Sequence, residues 1–250
     1  MLTPSFGEIS AFALDLDGTL ANTNPTHAIA RLMAFNIMAD ETKDIRFAQV
    51  LEQIHAEAHT HGSNPQAIIG WALQKAGIVT ELTDKRVLRA VELKKEIYAE
   101  LAERGQDEMP GAINFVRKLL SVAPNRTAIV TAAHKDTEVM PFLSRYLLKE
   151  DFPGERLVCH EDVGPNSLKP HPKAYEIMIE RFDLHATPKE LLVLEDTRGG
   201  IMAAKSVGAT VVAIATTHSQ EELSNLRGEQ KPDYIVNNFE QLSAMIGLDT

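Results

Sequence analysis

The chain has one cysteine in 250 residues, Cys159, and so cannot close an internal disulfide. A fold stapled by disulfides is excluded, and reducing cytosolic conditions suit such a chain. Within Leu157-Val158-Cys159 that cysteine reads as a small buried apolar residue rather than a reactive thiol. Basic residues are also in the minority. The 25 Lys and Arg face 35 Asp and Glu, leaving a formal charge of −10. This balance argues against a nucleic-acid or anionic-membrane partner, both of which select basic patches. It leaves room for a small phosphorylated substrate, because a bound metal and one or two cations reverse a local field. No apolar run approaches the roughly 18–20 residues of a membrane helix. Near the start, Glu8, Asp15 and Asp17 interrupt the apolar stretch and no basic flank precedes it, unlike a signal peptide. Internal repeats and low-complexity tracts are lacking too. The expectation is a soluble, cytoplasmic chain, 44% hydrophobic, long enough for one α/β domain with a substantial insert.

What is present begins with Ala13-Leu14-Asp15-Leu16-Asp17-Gly18-Thr19-Leu20. The apolar run from Ile9 to Leu14 is short enough for a buried strand, and Gly18-Thr19 supplies a turn where the chain leaves it. Side chains two apart on a strand share a face, so Asp15 and Asp17 point the same way. Two carboxylates together at a strand end are costly unless a cation or a reaction needs them.

After Leu20 the texture becomes helical. Asn22, Thr23 and Asn24 offer cap oxygens and Pro25 suits a first turn, leading into a helix over residues 28–39. Further helices are expected near 44–60, 65–76 and 83–103, with Gly62 and Gly77 placed as C-terminal caps. No strand pattern occurs between 22 and 106. From Met109-Pro110-Gly111 onward short apolar strands alternate with helices. Strands are expected near 127–130, 157–159, 191–194, 210–215 and 234–236, and helices near 135–148, 172–182, 199–207, 220–226 and 239–246. Together with the strand over 9–15, this pattern predicts an α/β fold with a doubly wound parallel sheet. The core covers residues 1–20 and 107–250, and residues 21–106 form an inserted helical cap domain.

Ligands of open α/β sheets lie at the carboxyl ends of the strands, and three more segments belong there. Thr131 closes Ala128-Ile129-Val130, where a hydroxyl and freed backbone amides can cradle phosphate, although a plain helix cap would look the same. Lys169 stands in Leu168-Lys169-Pro170-His171-Pro172, whose prolines stiffen the backbone and remove donors. Glu195-Asp196 follow the apolar run 191–194. Adjacent acids at a buried strand end favour a cation, and magnesium prefers such oxygen donors together with substrate phosphate. The alternative is a helix N-cap by Asp196.

These four segments, in this order, resemble the motifs of the haloacid dehalogenase superfamily, chiefly its phosphatase and β-phosphoglucomutase-like branch. The resemblance implies a Rossmann-like core with the cap inserted after the first motif. It makes Asp15 the nucleophile, Asp17 the general acid and base, and Thr131 with the Ala132 amide the phosphate donors. Lys169 would steady nucleophile and phosphoryl oxygens. A magnesium ion would be held by Asp15, the Asp17 carbonyl and Asp196, with Glu195 as a ligand or close beside it. His27 aligns with a cap histidine that the branch links to cap closure. Dehalogenases and phosphonatases of this superfamily lack an acid at position 17, so Asp17 disfavours both.

The cap is less telling. Glu52, His55 and His59 have helical spacing that a zinc site could use, with His61 nearby, yet such residues near a helix C-terminus are ordinarily just polar. The loop 62–65 has no arginine, which weakens a sugar-mutase reading. Trp71 reads as bundle core. The expected function is a magnesium-dependent phosphatase acting on a small phosphorylated metabolite, a sugar or polyol phosphate, through an aspartyl-phosphate. A sugar phosphomutase of the β-phosphoglucomutase type is the chemical runner-up, and a non-enzymatic ligand-binding relative the third reading. The oligomeric state is left open, a monomer being compatible.

Overall fold

The computed structural model describes residues 8–50, 65–103 and 105–248. The chain divides into two compact units, Met1–Asn22 with Gly105–Thr250, and Thr23–Arg104.

The first unit is built on six parallel strands: β1 (Ala11–Leu14), β2 (Thr127–Val130), β3 (Leu157–Val158), β4 (Leu191–Glu195), β5 (Thr210–Ile214) and β6 (Tyr234–Val236). Their order in the sheet is β3-β2-β1-β4-β5-β6, so the first strand is central and the winding reverses beside it. Helices cover both faces, which explains why the strands are apolar at almost every position rather than alternating. On one face Phe12, Leu14, Ile129, Leu192, Leu194, Val212 and Ile214 pack against helices Ala112–Val122 and Phe239–Ile246. On the other, Ala11, Ala13, Val130, Val193 and Val211 pack against helices Lys173–Arg181 and Arg198–Ser206. The small residues of β1, Ala11 and Ala13, lie on that second face, and the same face continues past the strand end toward Asp15.

Besides the short helix His160–Val163, two elements depart from expectation. The Ala112–Val122 helix was not foreseen, although Ile113, Val116 and Leu119 recur at three-residue steps and bury one stripe. Gly111 precedes it in a left-handed turn, φ +85, as its N-cap residue. The helix expected near 135–148 opens instead as a π-helical turn over Lys135–Val139 and becomes α-helical only at Met140–Arg145. Pro141 has no N–H to donate back one turn, as the interior of a continuous α-helix over 135–148 would require, and the break at Val139 puts it in a first turn instead, where that N–H is not needed.

The second unit is helical, with no strand among its described residues. It contains α1 (Asn24–Thr42), α2 (Arg46–Gln49), α3 (Pro65–Lys75) and α4 (Lys85–Ala102). Phe35, Met38, Phe47, Leu73, Val87 and Ile97 form its core, with Trp71 packed at the margin. Pro25 sits in the first turn of α1. Asp84 caps α4 by accepting from the Arg86 amide at 2.8 Å, and the Arg86 guanidinium beside it lowers the Asp84 carboxyl to about 2. Gly77, at φ +66, ends α3 by the turn in which Ile78 N–H donates to the Leu73 carbonyl. Of the segment expected as a helix near 44–60, residues 46–49 are helical, and the part from 51 onward lies outside the described residues, as do Glu52, His55, His59 and His61.

Candidate active site

Strand register brings the acids together. Leu14 of β1 pairs with Leu194 of β4 and with Ile129 of β2, so the next residues along, Asp15, Glu195 and Val130, share one level at the sheet's carboxyl edge. The Asp15 amide donates to the Leu194 carbonyl at 3.0 Å, extending the ladder one step past the strand. There the chain must turn. Gly18 adopts φ +75, and a Cβ on it would lie 2.2 Å from Asp196 Oδ2 and 2.8 Å from Thr217 Oγ1. Only glycine satisfies both demands.

Lys169 binds the cluster. Its Nζ donates to Asp15 Oδ1 at 2.5 Å, to Glu195 Oε1 at 2.6 Å and to the Val130 carbonyl at 2.8 Å. Those three acceptors come from three adjacent strands, so one buried ammonium ties β1, β2 and β4 together. Glu195 is held further by the Tyr175 hydroxyl, which donates to Oε1 at 2.6 Å, and by Thr197 Oγ1 at 3.3 Å from Oε2. Gly200 makes room for it, as a Cβ there would approach the Glu195 carboxylate to 1.9 Å. Asp196 accepts from Thr19 Oγ1 at 3.0 Å on one oxygen and from Thr217 Oγ1 on the other.

Charge is unbalanced at this edge. Asp15, Glu195 and Asp196 are all buried, and their ligand oxygens lie within 4.8 Å of one another. Lys169 is the cation in contact with Asp15 and Glu195. Burial, with Glu195 and Asp17 nearby, outweighs that ammonium and pushes the Asp15 carboxyl up to about 8. Burial and the Asp15 and Glu195 charges likewise raise Asp196 well above the carboxylate range. For Lys169, burial opposes the charged form, but Asp15 and Glu195 hold its pKa well above the ordinary lysine value. Three buried acids against one ammonium leave a site that takes up protons or a cation.

The other anticipated residues fall as follows. Asp17 is half-buried two residues after Asp15, close enough to raise it. Thr131 is buried directly after β2, and its Oγ1 accepts from the Ala133 amide at 3.1 Å, bending the chain around Ala132. His27 belongs to the helical unit, where its ring stacks on Tyr98 at 4.1 Å.

A family model described as haloacid dehalogenase-like hydrolase matches residues 9–208. The chain belongs to the haloacid dehalogenase-like hydrolases. It is 27% identical over 244 residues to the phosphoglycolate phosphatase of Yersinia pestis, covering 97% of this chain and 95% of that protein. Among solved structures, a haloacid dehalogenase hydrolase of Entamoeba histolytica has the same fold, with a TM-score of 0.69, 22% identity and coverage of 96% of this chain and 99% of that one. CbbY of Rhodobacter sphaeroides, solved with xylulose-(1,5)bisphosphate, matches with a TM-score of 0.64, 20% identity and coverage of 95% and 99%. This hydrolase is a phosphatase, acting on phosphoric monoesters. No helix among the described residues is long and apolar enough to cross a membrane.

Sequence reasoning passed over Tyr175, Thr19, Thr197 and Thr217, the hydroxyls that orient the acids. Thr217 was findable, because it follows the carboxyl end of β5, where this class of sheet collects its site. Tyr175 sits in the first turns of a helix that opens soon after Lys169, and it looks like ordinary core until its hydroxyl is traced to Glu195.

Proposed function

We propose that this phosphatase is magnesium-dependent and works through an aspartyl-phosphate on Asp15. The observation that carries the reading is the cluster of three buried carboxylates at neighbouring strand ends with Lys169 between two of them. The donors fit magnesium: all are hard oxygens, and two protein carboxylates with substrate phosphate are its usual company. Asp15, the Asp17 carbonyl and Asp196 would hold the ion, with Glu195 beside them. When bound, it would offset the repulsion between Asp15 and a phosphate ester and polarise the phosphoryl oxygens.

The chain's own groups supply the remaining steps. Lys169 fixes Asp15 through Oδ1 and presents positive charge to the incoming phosphoryl group. Thr131 and the Ala132 amide donate to its oxygens. Asp15 attacks phosphorus in line, and Asp17 protonates the departing alkoxide. As a carboxylate, Asp17 then deprotonates the water that hydrolyses the acyl phosphate, regenerating Asp15. Tyr175 and Thr197 hold Glu195, and Thr19 and Thr217 hold Asp196, so neither carboxylate must reorganise during turnover.

The substrate is a small phosphorylated metabolite. Sugar or polyol phosphates suit this chemistry, and the sugar bisphosphate bound to CbbY supports that class. The name of the Yersinia relative supports a second class, short phosphorylated acids. Phosphate release from a panel spanning both classes, with and without magnesium, tests the reading. Release by the wild type that requires magnesium and disappears in Asp15→Asn is expected. Equal release by both proteins would refute it.

A further inference from the structure

Among the described arginines, only Arg31 and Arg198 make neither a hydrogen bond nor an ion pair. Arg31 is buried in the helical unit. Arg198, in the core unit, opens onto a cleft of about 550 Å³ that it lines with Glu222, Asn225, Leu226, Arg227 and Gln230. Its position is unfavourable without a ligand. Arg198 is the first residue of the helix Arg198–Ser206, where the positive end of the helix dipole opposes a cation. Its Nε is sealed from solvent with no partner. Packing around that nitrogen holds the stem, so the outer nitrogens face the cleft with little freedom left to lose on binding.

The rest of the lining suits the same kind of ligand. Arg227 gives Nη1 to the Ser224 and Leu226 carbonyls at 3.0 and 2.9 Å, and no acid among the described residues pairs with it. The side-chain amides of Asn225 and Gln230 have no partner among the described residues. Glu222 is the one acid in the lining, and it is committed elsewhere: its Oε2 accepts from the Ser219 amide at 2.8 Å and the Ser219 hydroxyl at 2.9 Å. Those bonds first, and the Arg198 charge among lesser causes, hold its carboxyl below the ordinary range. In a chain of formal charge −10, two arginines and two open amides around one committed acid reverse the local field. The fork of arginine matches an oxyanion with several equivalent oxygens.

Both walls of the cleft grow from groups that hold the catalytic acids. Arg198 follows Thr197, whose hydroxyl lies 3.3 Å from Glu195 Oε2. The segment carrying Glu222 and Arg227 follows Thr217, whose hydroxyl donates to Asp196.

We infer that this cleft is an effector site for a phosphate-type oxyanion, separate from the site of ester cleavage, and that its occupant alters turnover through Thr197 and Thr217. The inference rests on the phosphatase activity and is independent of the magnesium and aspartyl-phosphate reading.

Titration calorimetry of inorganic phosphate into the metal-free protein, in EDTA, tests the site. There the catalytic cluster, with three buried acids against one ammonium, repels an oxyanion, so the heat reports on the cleft. Arg198→Met and Arg227→Met should each weaken binding about 10-fold, the size of one lost hydrogen bond to a charged group. Arg198→Lys should recover only part of this, because an ammonium lacks the fork. Glu222→Gln removes the acid and keeps a capping acceptor, so it should bind phosphate more tightly than the wild type. No binding by the wild type, binding unchanged in both methionine variants, or weaker binding by Glu222→Gln would overturn the site. Methylphosphonate separates two sources of the same chemistry. Weaker binding than phosphate marks the free ion as occupant, and equal or tighter binding marks the phosphoryl group of a metabolite.

Turnover tests the effector role. With saturating ester, inorganic phosphate near its dissociation constant for the wild type should change kcat, whereas competition at the catalytic site raises KM alone. Arg227→Met should match the wild type without phosphate and respond far less to it. The same response in both proteins would refute the role.

Discussion

Replacing Asp15 with asparagine should make the metal-free protein more stable while abolishing turnover. Asn has the shape of a protonated Asp and still offers Lys169 an acceptor, and Lys169 keeps Glu195 as its counter-ion. What disappears is the need to protonate a buried carboxyl. Burial moves Asp15 from 3.8 to about 8. At about pH 7 the distance from 3.8 is about 3 pH units, and at ~1.4 kcal/mol per unit the ceiling is about 4 kcal/mol. Water entering a strand-end site reduces this, so about 2 kcal/mol is a working figure, or roughly 4–8 °C in Tm for a chain of this size. Thermal unfolding of both proteins in EDTA measures the gap. Magnesium should then narrow it, because the ion stabilises the wild type more than a variant with one carboxylate fewer. An Asp15→Asn protein that melts at or below the wild type in EDTA would refute the claim that these acids are short of positive charge.

Further outcomes follow from the same cluster. A carboxyl whose folded pKa is raised contributes stability that is complete below its unfolded value and is lost as pH climbs through the folded one, so metal-free Tm should fall between about pH 4 and 8, and fall less steeply in Asp15→Asn. Over the same window magnesium affinity, read by titration calorimetry, should rise with pH, since binding displaces the protons; an affinity flat across it would contradict this. Tyr175→Phe removes the hydroxyl that holds Glu195 and should lower kcat/KM about 10- to 100-fold and weaken magnesium activation similarly, with the fold intact by circular dichroism. Gly200→Ala drives a methyl into the Glu195 carboxylate and should cost at least about 3 kcal/mol of stability in urea unfolding, and unchanged activity would show that Glu195 is free to move.

The sheet was legible because burial on both faces forces apolar residues at nearly every position of a parallel strand, and β4 with its run Leu191–Leu194 shows this plainly. The acids were legible for the opposite reason. Asp15, Glu195 and Asp196 stand where an apolar strand has just ended, in positions that cost energy unless chemistry needs them. The supporting hydroxyls were not. Tyr175 and Thr217 satisfy ordinary core and turn preferences, and their roles exist only through contacts with residues 20 and 21 positions away.

Arg31 shows where the boundary lies. On α1 its neighbours Ala30, Ala34, Phe35 and Met38 mark the buried side, and an arginine among them looks in sequence like a surface residue whose stem covers apolar neighbours. Periodicity assigns a position to a face; it does not tell whether a charge there finds a partner. Packing answers it: Arg31 is buried, its Nε has no hydrogen-bond partner, and none of the ion pairs among the described residues includes it. The core of this hydrolase crowds its charges where apolar strands end, a position legible in sequence, whereas the helical unit buries a charge whose lack of a hydrogen-bond partner at Nε only packing exposes.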